Sequence, residues 1–121
     1  MDLKYFKEQI HEELDGAKHY IDKAIEAKIN HPTWSAKFAQ MADMEAEHAA
    51  NLMKMLECYI RDMKKDKANS NSTVSAPATT TTGLITESAK SMNESPEDVY
   101  KNCMKEFGEV MTYVTNMKRG L

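Results

Sequence analysis

The residues best suited to chemistry lie in one stretch, Met41 to Leu56, whose centre is Glu45-Ala46-Glu47-His48. Glu45 and His48 are three residues apart, so on a helix their side chains point the same way and can reach a common cation. Both fall on a predicted buried seam that steps by four and three residues: Trp34, Phe38, Met41, Glu45, His48, Leu52, Met55 and Tyr59. An ionisable pair on such a seam is costly unless it is neutralised, and a metal ion is the simplest neutraliser.

A third ionisable residue of the same kind lies on the helix predicted from about Asp2 to Lys28. Apolar residues there again step by four and three, with Leu14, Ile21 and Ile25 widening the face. The predicted seam is Phe6, Ile10, Glu13, Ala17, Tyr20, Ala24 and Ala27. Glu13 is therefore the one charged residue expected on the inner side of this helix.

The short break Asn30-His31-Pro32-Thr33 predicts an antiparallel helical hairpin, with the second helix running from about Thr33 to about Lys65. Glu13 lies about fifteen residues, or about 22 Å, before the end of the first helix. Glu45 lies about thirteen residues, or about 20 Å, after the start of the second. The hairpin is therefore expected to bring Glu13 level with Glu45 and His48.

Beyond Lys65 the composition changes, and three segments are predicted: a hairpin over 1–66, a linker over 67–94 and a C-terminal amphipathic helix over 95–121. The linker is rich in Ser and Thr and is expected to be flexible, with a short helix possible over 84–92. Ser95 as N-cap and Pro96 at the first helical position mark the start of the last helix, which should end near Lys118. Its apolar face comprises Val99, Cys103, Phe107, Val110, Val114 and Met117. Whether it packs on its own hairpin or on a neighbouring subunit is left open.

Composition excludes several classes of function. The net charge of −3 with no dominant basic stripe argues against nucleic-acid binding. No apolar run is long enough to span a membrane, and no signal peptide is expected from the first residues. Cys58 and Cys103 lack a paired short spacing, so we expect them to be reduced, packed in helices and in the cytoplasm.

The three ionisable residues match half of a known metal-binding pattern. Di-iron four-helix bundles take one Glu from each of two helices and Glu-x-x-His from each of the other two. Glu13, Glu45 and His48 supply half of that set, so two copies of the hairpin would complete it. Four carboxylates and two neutral imidazoles then balance two divalent cations and favour iron, with manganese as the alternative, over structural zinc.

In these residues the hairpin resembles the ferritin-like superfamily, in the style of rubrerythrin and bacterioferritin. The resemblance rests on Glu13-x-x-x-Ala17-x-x-Tyr20 and on Met41-Ala42-x-x-Glu45-x-x-His48-Ala49, and covers roughly residues 5 to 60. It implies an all-α fold, a dinuclear iron site, ferroxidase or peroxidase chemistry, and a tyrosine beside a ligating carboxylate, which Tyr20 matches. Full-length members carry two hairpins, so this chain is similar to the half-length ferritins whose site forms between subunits.

Two functions therefore remain as hypotheses. The first is a di-iron protein that oxidises ferrous iron as a homodimer or higher even oligomer, with Glu13, Glu45 and His48 as ligands, Tyr20 as the catalytic residue and two irons per dimer. If it is an enzyme, it is a ferroxidase-like oxidoreductase. The second is a helical scaffold or interaction module without metal, in which the same residues form a buried polar network.

The remaining candidate residues have plainer interpretations. Tyr20 alone is also compatible with ordinary core packing and a bonded hydroxyl. His11 and His19 are expected to face solvent, and His31 to cap a helix end. Iron storage, iron oxidation and peroxide reduction are not distinguished by the sequence.

Overall fold

Three α-helices make up the computed structural model, which describes residues 2–73 and 94–121. They are α1 (Leu3–Ala27), α2 (Pro32–Thr73) and α3 (Pro96–Arg119). The Asp2 side chain caps α1 by accepting a hydrogen bond from the Tyr5 amide at 2.9 Å. The Ser95 hydroxyl caps α3 in the same way by accepting from the Asp98 amide. The all-α fold class is thereby confirmed, as is the predicted start of the last helix.

The connection between α1 and α2 is a tight turn fixed by hydrogen bonds. The amide of His31 donates to the carbonyl of Ala27 at 2.8 Å, and the amide of Ser35 donates to the carbonyl of His31 at 2.9 Å. The buried Ser35 hydroxyl donates to the Ala24 carbonyl at 2.6 Å, which joins the two helices just inside the turn. The helices are antiparallel neighbours, as predicted.

The core forms where the three helices meet. On α1 it comprises much of the predicted face, with Phe6, Ile10, Leu14, Ala17, Ile21, Ala24 and Ala27 buried. On α3 the buried residues are Val99, Cys103, Val110 and Val114, while Phe107 and Met117 pack partly buried against them. Both faces agree with the apolar periodicity of the sequence.

On α2 the predicted buried stripe is wrong. The residues buried within the chain are Ser35, Ala42, Ala46, Ala49, Met53, Leu56 and Ile60. The predicted seam lies beside this stripe: Trp34, Met41 and Met55 are 56%, 38% and 49% exposed. The reason is that α2 carries two adjacent apolar stripes, and within one chain only one of them can face α1 and α3.

The second helix is also longer than predicted. It continues to Thr73 rather than ending near Lys65, so its last turns occupy the first part of the segment assigned to the linker. The rest of that linker and the short helix expected over 84–92 lie largely outside the described residues.

Helix α3 packs on its own hairpin in the single chain that the structure describes. Side-chain contacts join it and the preceding Glu94 to α1 through the pairs Lys7–Glu94, His11–Glu106 and Asp22–Tyr113. They join it to α2 through Lys118–Asp43 and Lys64–Glu97. These polar contacts surround the apolar contact of Val99, Cys103, Val110 and Val114 and fix the side of the hairpin that α3 covers.

Candidate metal centre

The structure brings the three predicted ligands together. One ligand atom from each of Glu13, Glu45 and His48 lies within 4.8 Å of the others. The Nδ1 atom of His48 is 3.5 Å from an Oε atom of Glu13, across the gap between α1 and α2. Glu13 lies beside the Glu-x-x-His pair because both are at about the same distance from the turn of the antiparallel hairpin, as the sequence predicted.

Electrostatics in this group centre on Glu45. A hydrogen bond with the Glu13 carboxyl, partial burial and repulsion by the Glu13 charge together raise the pKa of Glu45 to about 7, while the nearby His48 opposes the shift. Two carboxylates this close cannot both ionise freely, so a proton is held between them near neutral pH. A cation in the same place would remove the repulsion and displace that proton.

The three residues lie on the side of the hairpin opposite α3. On each helix a residue that contacts α3 is two positions away from a residue of the site, which corresponds to about 200° around the helix. These pairs are His11 and Glu13, Asp22 and Tyr20, and Asp43 and Glu45. Helix α3 therefore leaves the site uncovered.

Because no described part of the chain covers them, the predicted ligands are not fully buried in the structure of residues 2–73 and 94–121. The side chain of His48 is 52% exposed and that of Glu13 is 25% exposed, and Glu45 is intermediate. Within one chain, the stripe that carries Glu45 and His48 is therefore only partly buried; its predicted burial would need a second chain. The same stripe is available for contact with another chain.

Gly16 belongs to the site and was missed by sequence reasoning. A Cβ atom at this position would lie 3.0 Å from an Oε atom of Glu45 and 3.4 Å from its carboxyl carbon. Gly16 and Glu45 also line an open cavity of about 320 Å³, together with Glu12, Asp15, His19 and Tyr20. A glycine in mid-helix was the available signal, since glycine there is unfavourable without a packing or functional reason.

Tyr20, the predicted catalytic residue, lies near Glu45 but is oriented by packing. Its half-buried ring stacks on Phe38 with the ring centres 6.4 Å apart. Within 2–65 and 94–121, no hydrogen bond joins its hydroxyl to Glu13 or Glu45. Its role in chemistry stays a prediction.

The other candidates lie away from the three ligands. His11 is exposed and its Nδ1 is 2.7 Å from a carboxyl oxygen of Glu106. His19 is exposed at the edge of the cavity beside Glu45, and His31 stacks on Trp34 at the turn. Both cysteines are free thiols, but only Cys103 is buried, so the expectation that Cys58 is packed was wrong. Burial and the Glu106 charge raise the pKa of Cys103.

The donor set fits a divalent transition-metal ion. Carboxylate oxygens and imidazole nitrogens bind such ions at about 2.0–2.2 Å, so ligands of one ion lie about 3–4 Å apart. The spacing of the three residues is close to this range. The Glu13 carboxyl and partial burial raise the pKa of Glu45, and a cation between the two carboxylates would relieve their repulsion.

Comparison with known proteins identifies the class. The family model described as Rubrerythrin matches residues 4–118, nearly the whole chain. The chain therefore belongs to the Rubrerythrin family and has a ferritin-like fold. Proteins of this family bind iron in di-iron sites, and a group of the Glu plus Glu-x-x-His type is present here.

Neither a comparison with curated proteins nor one with solved structures gave a significant match. Within the described residues, no helix is long and apolar enough to cross a membrane.

Proposed function

We propose that this protein binds iron as a homodimer or a higher even oligomer and oxidises ferrous iron at a site shared between two chains. The observation that carries the proposal is the meeting of Glu13, Glu45 and His48 on a face that α3 leaves uncovered. One chain supplies half of the ligand set of a di-iron bundle, and a two-fold related copy supplies the other half.

The uncovered face has the pattern expected of a helix–helix contact between chains. Four residues of α2 that are spaced seven apart form an exposed row: Trp34, Met41, His48 and Met55. A parallel row of half-buried residues, Phe38, Glu45, Leu52 and Tyr59, lies beside it. Two such rows form the seam of a coiled-coil contact, and exposed methionine and tryptophan on a monomer mark a surface to be buried.

The position of the site within this stripe allows an antiparallel pair of α2 helices. The stripe runs from Trp34 to Tyr59, and its midpoint lies between Glu45 and His48. Two copies that overlap along the whole stripe about a two-fold axis bring their sites to the same level. Methionine suits the contact because it adapts to irregular gaps.

In the proposed dimer, three residues of each chain bind the metal. Glu13 from α1 and the Glu45–His48 pair from α2 hold the metal, and Glu45 gives up its shared proton as the metal binds. Iron fits this set best, two ions per dimer, with manganese as the alternative. When bound, the metal supplies a redox centre with an open position for an oxidant. Ferrous iron would be the substrate and dioxygen or peroxide the oxidant. With peroxide, two ferrous ions would supply the two electrons that reduce it to two hydroxide ions.

Tyr20 is the residue we propose to act beside this chemistry without binding metal. It lines the same cavity as Glu45, and a phenol can donate a hydrogen bond or an electron. Tyr20→Phe should keep the metal and the fold but slow oxidation. Equal oxidation rates for the wild type and the variant would reduce Tyr20 to a packing residue.

The proposal is tested by coupling assembly to iron chemistry. Met41→Glu together with Met55→Glu should keep the helical fold, since both side chains are exposed, but should prevent pairing and abolish iron oxidation. Met104→Glu on α3, where Met104 is 48% exposed, is the matched control and should behave like the wild type. Peroxide is added after anaerobic ferrous loading, and oxidation is followed by ferric absorbance. Assembly is measured by light scattering. A monomeric variant that oxidises iron at the wild-type rate would refute the shared site.

The alternative, a metal-free scaffold, makes an opposite prediction. If the trio only fixes helix register, replacing all three residues by Leu or Met should leave assembly intact or stabilise it. That result, combined with a wild-type protein that binds no iron or manganese, would favour the scaffold.

A further inference from the structure

The mid-helix Gly16 lies directly under the carboxylate of Glu45. An added Cβ would be 3.0 Å from Oε2, 3.4 Å from Cδ and 3.5 Å from Cγ of that side chain. The end of the Glu45 side chain thus occupies the space that a side chain at position 16 would need. Glycine costs a helix stability relative to alanine, so the chain carries this cost at the point where α1 passes the site.

A second glycine shows that this contact is particular to Gly16. Gly108 lies in the middle of α3, and a Cβ added there meets nothing within 4 Å. Both glycines are helical and neither is fully buried. Gly16 is half-buried and Gly108 is exposed, and only beside Gly16 is the space for a Cβ filled, by the Glu45 side chain.

We infer that Gly16 is a positioning residue of the site: its missing side chain lets the Glu45 carboxylate lie against α1, in reach of Glu13 and His48. This inference rests on the proposed function, because it matters only if Glu45 holds a metal. A side chain at position 16 would push the carboxylate outward, toward the open cavity lined by Glu12 and His19.

The distance that the Glu45 carboxylate can move at little cost distinguishes an effect of position 16 on folding from an effect on metal binding. Without metal, the carboxylate is the far end of a flexible side chain and can move by a few tenths of an ångström at little cost. With metal, the ligand must stay within about 0.2 Å of its bonding distance. A larger residue at position 16 should therefore weaken metal binding while the fold gains stability from better helix propensity.

The experiment compares Gly16→Ala and Gly16→Leu with Gly108→Ala in the full-length protein. Cobalt(II) serves as the probe, because its visible spectrum reports the ligand geometry independently of activity. We expect Gly16→Ala to lower cobalt affinity about 10-fold and Gly16→Leu about 100-fold or more, with altered spectra. Gly108→Ala should keep both the wild-type affinity and the wild-type spectrum. All three should melt at or above the wild-type temperature without metal.

The outcomes separate this inference from the proposed function. Wild-type protein that takes up no cobalt refutes the proposed function, and the inference with it. Wild-type protein that binds cobalt while Gly16→Leu binds it equally well, with the same spectrum, refutes the inference alone. If Gly16→Leu does not fold, Gly16→Ala decides: unchanged affinity and spectrum overturn the inference, and a loss of affinity beyond that of Gly108→Ala supports it.

Discussion

Replacing Glu45 by glutamine should stabilise the metal-free protein while it destroys the site. The pKa of Glu45 is raised from 4.5 to about 7, first by its hydrogen bond with Glu13 and then by burial and the Glu13 charge. Above pH 7 the carboxyl groups of Glu45 and Glu13 are therefore both ionised in the folded chain, and their mutual repulsion destabilises it. Glu45→Gln removes one charge and keeps the shape and a hydrogen-bond donor.

The expected gain in the free energy of unfolding follows from the size of the pKa shift of Glu45. A change from 4.5 to about 7 corresponds to about 3 kcal/mol if fully expressed, but Glu45 is partly exposed, and solvent screening reduces this to about 1 kcal/mol. For a chain of this size that is a rise of about 4 °C in melting temperature. A ligand lost from a metal site has the opposite effect on metal-loaded protein, since binding stabilises the fold.

The pH dependence has a definite sign. The folded state binds the Glu45 proton more tightly than the unfolded state, so metal-free wild-type stability falls as pH rises from about 4.5 to about 7 and then levels off. Glu45→Gln lacks this loss. Its advantage over the wild type should vanish near pH 4 and reach its full value above pH 7.

Thermal unfolding by circular dichroism from pH 4 to pH 8, with chelator and then with cobalt, measures all three effects. Glu8→Gln is the matched control, because Glu8 is exposed on the same helix as Glu13 and away from the site. If Glu45→Gln is less stable than the wild type at pH 8 without metal, or is stabilised by cobalt as much as the wild type, the account of this carboxylate pair is refuted.

Three further substitutions test the fold that positions the site, each by chemical denaturation at pH 7. Leu56→Ala should cost about 2–5 kcal/mol, because Leu56 is fully buried and its removal leaves a cavity; a loss below 1 kcal/mol would contradict the core described. Ser35→Ala should cost about 1 kcal/mol, because the buried hydroxyl bonds the Ala24 carbonyl, and an unchanged midpoint would show that bond to be dispensable. Ser95→Ala should cost about 1 kcal/mol through the lost cap on the Asp98 amide, and an equally stable variant would show that the cap does not hold α3.

The sequence predicts the hairpin and the meeting of Glu13, Glu45 and His48 for a physical reason. Apolar residues at helical spacing and a short Pro-containing turn define a hairpin, and a hairpin fixes which residues are level. Glu13, Glu45 and His48 therefore meet without any knowledge of packing. Only the periodicity of the chain and the rise per residue are needed for this prediction.

What the sequence could not predict is which of two neighbouring stripes on α2 is buried within the chain. Leu56 and Met55 are adjacent and both apolar, yet Leu56 is fully buried and Met55 is 49% exposed. Periodicity alone does not rank two overlapping stripes. The choice depends on where α3 packs, and a polar connecting segment carries no information on that.

The extension of α2 and the role of Gly16 were missed for related reasons. Residues up to Thr73 are poor in apolar bulk, so their helical state has no periodic signal, although the preceding turns propagate into them. Gly16 is recognisable only once the Glu45 side chain is placed against it. Both depend on neighbours that a linear reading of the chain does not reveal.

Native mass spectrometry of the full-length chain, loaded with ferrous iron under anaerobic conditions and freed of excess metal, tests the central claim most directly. The account predicts an even assembly carrying two irons per pair of chains, and a Glu45→Gln protein that carries none. A monomer without iron, or an assembly whose iron content is unchanged in Glu45→Gln, would contradict it.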